Sequence, residues 1–314
     1  MWPGAALLVF FFYSVSPIPA QIQIRESACL IEGASQAGGR LWLVCEEGKV
    51  LAGSPSQDGW TQIAVPARSP LRDIAFLDER RGFIVGDRGL ILASEDGGKR
   101  WREVKSPTEE NLTAVFFRGE RGWAAGWSGV VLHSADGGRS WQLQKTGISQ
   151  GLEGIYFLDD SRGWAVGWVG TILRTVDGGQ TWKQVSAPDA RWSLNAVYFR
   201  DANHGWIVGF GGQILRSRDG GQSWEVQASP VTSSLTSVAF DASGRGWITT
   251  VDGVLASDDG GETWVHRRLG DWLFLNGLVT VEGSVWAYGA RGILRPEGGE
   301  FRLDRIEQLL ARAS

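Results

Sequence analysis

Residues 94–101 read SEDGGKRW, and the same octapeptide returns as SADGGRSW at 134–141, TVDGGQTW at 175–182, SRDGGQSW at 217–224 and SDDGGETW at 257–264. The aspartates Asp96, Asp136, Asp177, Asp219 and Asp259 stand 40, 41, 42 and 40 residues apart. A fixed period of this length marks a repeat architecture, in which no unit buries its own apolar face and each must pack on its neighbours. Degenerate copies, SPSQDGW at 54–60 and PEGGEF at 296–301, extend the series to seven units.

Two further patterns share the period. One is Leu-x-x-aliphatic-x-aromatic: LRDIAF at 71, LTAVFF at 112, LEGIYF at 152, LNAVYF at 194 and LTSVAF at 235. The other is RGFIVGDRGLILAS at 81, RGWAAGWSGVVLHS at 121, RGWAVGWVGTILRT at 162, HGWIVGFGGQILRS at 204 and a shortened RGWITTVDGVLAS at 245. Each unit therefore offers four short runs of apolar and β-branched residues between turn signals, which predicts four strands. Seven such units read as an all-β fold, a seven-bladed β-propeller of four-stranded antiparallel blades over residues 27–303, with a linear stack as the alternative. In the tail, Ile306, Leu309 and Leu310 recur at helical intervals and predict a short C-terminal helix over 304–314. The segment IQIR at 22 is a candidate extra strand that helps close the ring.

Composition agrees. With 44 Gly, 17 Trp and one Met in 314 residues, the chain is not a helical bundle, and 43% hydrophobic content excludes a disordered polymer. A net charge of -4 gives no reason to expect nucleic acid as a partner. The apolar run AALLVFFFY at 5–13, followed by SVSPIPA, reads as a signal peptide over residues 1–20, with an uncleaved N-terminal anchor as the alternative. The expectation is an exported, periplasmic monomer whose mature chain is not transmembrane. In such a compartment Cys29 and Cys45 are either a disulfide or two buried thiols.

The octapeptide has the chemistry of a hairpin turn between the third and fourth strands. Its Asp accepts backbone N–H groups, its Ser or Thr hydroxyl adds a local bond, its glycines supply positive φ, and its Trp packs on the neighbouring unit. The Asp ladder of a calcium loop is missing. The motif resembles the Asp-box, or BNR, repeat, and the longer string RGWAVGWVGTILRTVDGGQTW at 162–182 is similar to the photosystem II stability and assembly factors and their bacterial relatives outside photosynthesis. That resemblance implies a propeller acting as a binding or assembly scaffold without catalysis or cofactor. It also implies a protein client that is a membrane protein or part of a membrane complex, and a lumenal or periplasmic location in a photosynthetic host.

Blade topology sorts candidate residues onto two faces. Arg81, Arg121, Arg162, His204 and Arg245 open successive second strands, on the face that carries the octapeptide turns. They form a partial cationic ring, similar to the arginine patch of the photosystem branch, and suited to an acidic segment of a client. The competing reading pairs each with acids of its own blade, such as Asp78, Asp159 or Asp160. The opposite face carries the turns GDRG, GWSG, GWVG, GFGG and GARG, read as two-residue hairpin tips. Trp127, Trp168 and Phe210, flanked by Arg88 and Arg291 and enlarged by Trp192 and Trp272, would form an aromatic platform there, unless each ring is buried on the next blade.

Enzyme readings are weaker. A sialidase-like glycosidase would need a tyrosine nucleophile beside an acid, yet Tyr156 and Tyr198 lie within the first-strand pattern and read as core. A tyrosine beside a buried acid at the disc's centre would reopen that case. His133, His204 and His266 lack metal-site spacing. A non-catalytic scaffold without cofactor is expected, the alternative being a carbohydrate-active propeller, enzyme or lectin, that stacks sugars on exposed Trp rings.

Overall fold

The computed structural model describes residues 29–54, 59–67, 69–187, 191–270, 272–297 and 300–311. The signal-like run, the IQIR segment and the last residues of the tail lie outside the described residues. Seven four-stranded antiparallel sheets follow one another in chain order, each ordered first to fourth strand from the axis outwards. The first strands are Ile31–Ala37, Leu71–Phe76, Leu112–Arg118, Leu152–Phe157, Leu194–Phe199, Leu235–Phe240 and Leu275–Val281. Each packs beside the first strands of its two neighbours, and Ile31–Ala37 touches both Leu71–Phe76 and Leu275–Val281. The ring is closed, so the linear stack is excluded.

Among the described residues no strand is exchanged between blades one and seven. Blade seven ends on its own fourth strand, Glu300–Arg305, and blade one contains Ile31–Ala37 through Thr61–Ile63. Packing and side-chain bonds join the two blades. Asn276 Nδ2 donates to the Ile31 carbonyl at 2.9 Å and the Glu282 amide to Gln36 Oε1 at 3.1 Å. One apolar cluster joins Ile31, Leu43 and Leu51 of blade one to Val279, Tyr288 and Ile293 of blade seven. The helix Ile306–Ala311 adds Ile306 and Leu309 to it, and so does the disulfide between Cys29 and Cys45.

The octapeptide turns have the same bonding in blades two to six. In blade four, Gly179 N donates to Thr175 Oγ1 at 2.9 Å, Thr175 Oγ1 to Asp177 Oδ1 at 2.7 Å, and Thr181 N to the same oxygen at 2.9 Å. These bonds hold the Asp ionised: the Thr263 hydroxyl and amide bring Asp259 down to about 2. Both glycines take positive φ, as in Gly220 and Gly221 at 70° and 69°. The second glycine also has a packing role. A Cβ on Gly221 would lie 2.2 Å from the Trp164 indole, and one on Gly138 would lie 2.3 Å from the Phe83 ring. Trp164 and Phe83 come from the second strand of the preceding blade, so each turn is the seat of its neighbour's ring. Trp101, Trp141, Trp182, Trp224 and Trp264 then close the stack, Trp101 lying edge-on to Trp42 and Phe76. In blade seven Phe301 takes that part, 5.2 Å from Trp247 at 89°.

Two measurements test this account. Gly221→Ala combines left-handed strain with overpacking and is expected to cost about 2–4 kcal/mol in urea unfolding; a cost below about 1 kcal/mol would show that the ring is not tightly seated. Removing the disulfide in a Cys29→Ala/Cys45→Ala variant, which frees a sequence separation of 16 residues, is expected to cost roughly 3 kcal/mol in the same assay.

Candidate functional site

The inner strands do more than bound the axis. Each carries a β-bulge at its second residue: Leu152 pairs with Gly167 and Gly154 with Val166, which leaves Glu153 opposite nothing. The same skip falls at Glu32, Arg72, Thr113, Asn195 and Asn276, and in blade six it covers Thr236 and Ser237. A bulge releases a side chain from the alternation of the strand and re-aims it. Glu32, Arg72, Thr113, Glu153, Asn195, Thr236 and Asn276, one from each blade, thereby line a cavity of about 300 Å³ at one mouth of the central channel, together with Asp87, Asn111 and Trp127.

Four of the seven bulged side chains bond to the next blade. Thr113 Oγ1 donates to the Leu152 carbonyl, Asn195 Nδ2 to that of Leu235, and Thr236 Oγ1 to that of Leu275, each at 2.7 Å; Asn276 does the same to Ile31. The other three, Glu32, Arg72 and Glu153, are ionisable. Arg72 grips Asp87 through Nε at 2.8 Å and Nη2 at 3.1 Å and reaches Glu46 at 3.4 Å and Glu32 at 4.0 Å. Glu153 accepts the indole N–H of Trp168. Burial pushes the Glu32 carboxyl up to about 7, against the pull of Arg72 and with the push of Glu46, Glu47 and Asp87. It raises Glu153 as well. This ring escaped the sequence reading, although its signal is plain: the residue after the leading Leu or Ile of every first strand is polar.

The aromatic candidates sit around this mouth. Trp127, Trp168 and Phe210 each open a 3-10 turn, Trp127–Gly129, Trp168–Gly170 and Phe210–Gly212, inside a longer loop closed in blade three by Gly126 N donating to the Val130 carbonyl. The two-residue tips expected from the sequence are corrected on this point for blades two to five. The left-handed residue is the one after the aromatic, Ser128 or Val169, so the Trp itself meets no backbone penalty. A two-residue turn is found in blade six at Val251 and Asp252 and in blade seven at Ala290 and Arg291. Trp127 N donates to the Asn111 carbonyl and Trp168 N to that of Gly151, which brings the rings over the start of the first strands. Trp127 and Trp168 are 5.5 Å apart, Trp192 and Phe210 6.0 Å, and Trp272 and Phe274 5.7 Å. All six are exposed, from 39% for Trp127 to 62% for Trp272. Arg88 lies on the blade-two turn, and Arg291 Nε donates to the Trp272 carbonyl. Asn111, a glycosylation sequon on paper, takes the Arg88 amide on its Oδ1 inside this site.

The cationic ring on the other face is engaged at every position. Arg81 binds Glu120 of the next blade through two nitrogens at 2.7 and 2.8 Å and Asp78 at 2.8 Å, which raises its pKa further. Arg121 donates to the Asp160 carbonyl of the next blade, Arg162 binds Asp159, His204 Nδ1 meets Asp201, and Arg245 binds Asp258. The pairing reading within a blade describes Arg81 with Asp78, Arg162, His204 and Arg245; Arg81 also ties adjacent blades through Glu120, as Arg121 does through Asp160. These contacts stabilise the turns and leave less charge to offer a visitor.

Tyr288 sits between blades seven and one under the influence of Asp73 and Glu32, but it does not line the cavity. Burial, and then the two acids, raise its pKa, so its phenol stays protonated, the opposite of an activated nucleophile. Asp73, pushed up to about 7 by burial, spends its oxygens on the Ile74 and Val115 amides at 2.8 Å. Tyr156 donates its hydroxyl to the Phe199 carbonyl within the core.

A family model described as photosynthesis system II assembly factor YCF48 matches residues 52–154, 139–225 and 189–274, most of the chain. The chain belongs to this family. Among curated relatives, the photosystem II assembly lipoprotein Ycf48 of Prochlorococcus marinus strain NATL2A is 32% identical over 101 residues, 31% of this chain and 28% of that protein. Its counterpart in strain MIT 9312 is 37% identical over 65 residues, 19% of each chain. These alignments thus span less than a third of the relatives' length. Solved structures share the fold: YCF48 from Cyanidioschyzon merolae at TM-score 0.68 and 20% identity, covering 86% of this chain and 95% of that one, and YCF48 bound to a D1 peptide at 0.64 and 22%, covering 81% and 86%.

The raised carboxyls give a pH test. A group whose folded pKa lies above its unfolded value stabilises the fold fully below the unfolded pKa, and that stability is lost as pH rises through the folded one. For Glu32 the window runs from about 4.5 to about 7. The Glu32→Gln variant is expected to show a smaller loss of Tm than the parent between pH 4.5 and 8; identical slopes would show that Glu32 is not desolvated.

Proposed function

We propose that this protein is a non-catalytic, exported scaffold that holds a protein client on the aromatic face around the channel mouth. The observation that carries this reading is the group of six exposed rings, in three contact pairs, on turns and connections fixed by the blade frame. Solvent-exposed aromatics gathered on a rigid surface are the composition of a protein-binding centre. Membership of the YCF48 family supports a role in assembly, with a subunit of a membrane complex such as photosystem II as the client class. Among the described residues no helix is long and apolar enough to cross a membrane. The paired arginines favour the aromatic face over the cationic ring as the docking surface.

A photo-crosslinking residue placed at position 127 or 210, and at position 245 as the comparison, tests the assignment in the native host. Client adducts are expected from 127 and 210, and Trp127→Ala/Trp168→Ala is expected to reduce recovery of the same client at least fivefold while Arg121→Ala/Arg245→Ala does not. Adducts confined to position 245 would move the site to the arginine face. Release of sugar from a glycoside panel would reject the scaffold class.

A further inference from the structure

The inner ring is not uniform. Where four of its members bond to the next blade, Glu32 and Glu153 face the cavity as acids, and burial opposes the charge of both. The cavity holds three carboxylates, from Glu32, Asp87 and Glu153, against one guanidinium, Arg72. That guanidinium is committed to Asp87 by two hydrogen bonds. Glu32 reaches it at 4.0 Å, and Glu153 has the Trp168 indole as its hydrogen-bond donor. Two acidic groups thus share a cavity with one neutralised pair. Trp127 lines the same cavity, and its ring lies 5.5 Å from that of Trp168.

We propose that the channel mouth is a receptor for one cationic side chain, an arginine or lysine carried on an exposed loop or terminus of a protein partner, with its charge on Glu153 and Glu32 and its stem against Trp127 and Trp168. This rests on the aromatic-face reading and names the chemistry of what that face receives. Charge complementarity selects the occupant. An acidic side chain would meet two like charges in a desolvated space, and an apolar one would cover the carboxylates without pairing them, which costs more than leaving them wet. A guanidinium or ammonium supplies the missing counter-charge and is attracted by the negative face of an indole. The volume, about 300 Å³, suits a side chain and excludes a helix or hairpin. Arg88 and Arg291 stand on blades two and seven, either side of the blade that carries Glu32, whereas Trp127, Trp168 and Glu153 belong to blades three and four.

The probe is a set of three blocked pentapeptides, acetyl-Gly-Gly-Xaa-Gly-Gly-amide with Xaa arginine, glutamate or norleucine, titrated into the full chain and followed by Trp fluorescence and NMR. The arginine peptide is expected to bind in the millimolar range or tighter at pH 8, and the other two at least tenfold more weakly. Binding is expected to weaken towards pH 5 as Glu32, among Arg72, Glu46, Glu47 and Asp87, takes up its proton. Glu32→Gln/Glu153→Gln, checked for native circular dichroism, is expected to lose roughly tenfold or more. No arginine binding at 10 mM, equal binding of the norleucine or glutamate peptide, or unchanged affinity in the double variant would overturn the proposal. A client still crosslinked at position 127 in that double variant would overturn the cation receptor and leave the aromatic-face reading standing.

Discussion

Each of the five junctions from blade one to blade six depends on one contact: an aromatic ring from one blade's second strand lying on a glycine of the next blade's turn. The ring can approach only because that glycine has no Cβ, and the glycine is placed there by a Ser or Thr hydroxyl that takes its amide. Local turn chemistry and long-range packing therefore coincide in the same five residues. Each blade is a sheet too small to bury itself, and this contact lets it share a core with its neighbour. The period of about 41 residues is the sequence's record of that contact.

A frame held together at its octapeptide turns frees the opposite face. On the turn side, hydrogen bonds and ion pairs cross from blade to blade: Arg81 to Glu120, Arg121 to Asp160, Arg200 to the Gly260 carbonyl and Arg216 to Glu262. Those side chains are occupied by the fold. On the other side the loops close on themselves and on the connections between blades, and their tips carry rings that stay partly exposed. Function can vary there at little cost in stability.

The channel mouth joins these two levels. Bulges at the second residue of each first strand turn seven polar side chains towards the axis, and four of them donate to the next blade's main chain. Where the residue is Glu instead of Thr or Asn, the side chain once ionised has no proton to give, and the position changes from a clamp to an acid awaiting a counter-charge. The asymmetry of the ring, with charge in blades one, two and four, is what separates this mouth from a repeated structural device.

The residues alone determined the blade number, the strand count, the turn chemistry and the two faces, because these follow from local periodicity and from which side chains satisfy a turn. SEDGGKRW and its copies carry that information in eight residues. Whether Arg81 or Trp127 is open to a partner was beyond their reach, since it depends on what the adjacent blade presents some 40 residues away: Glu120 takes the guanidinium, while the indole, beside Trp168, stays 39% exposed. The polar ring at the axis was visible letter by letter in each unit but became a site only on closure. A circle of seven strands brings together residues that are 245 positions apart, such as Asn276 and Ile31, and distance in space is not written in distance along the chain.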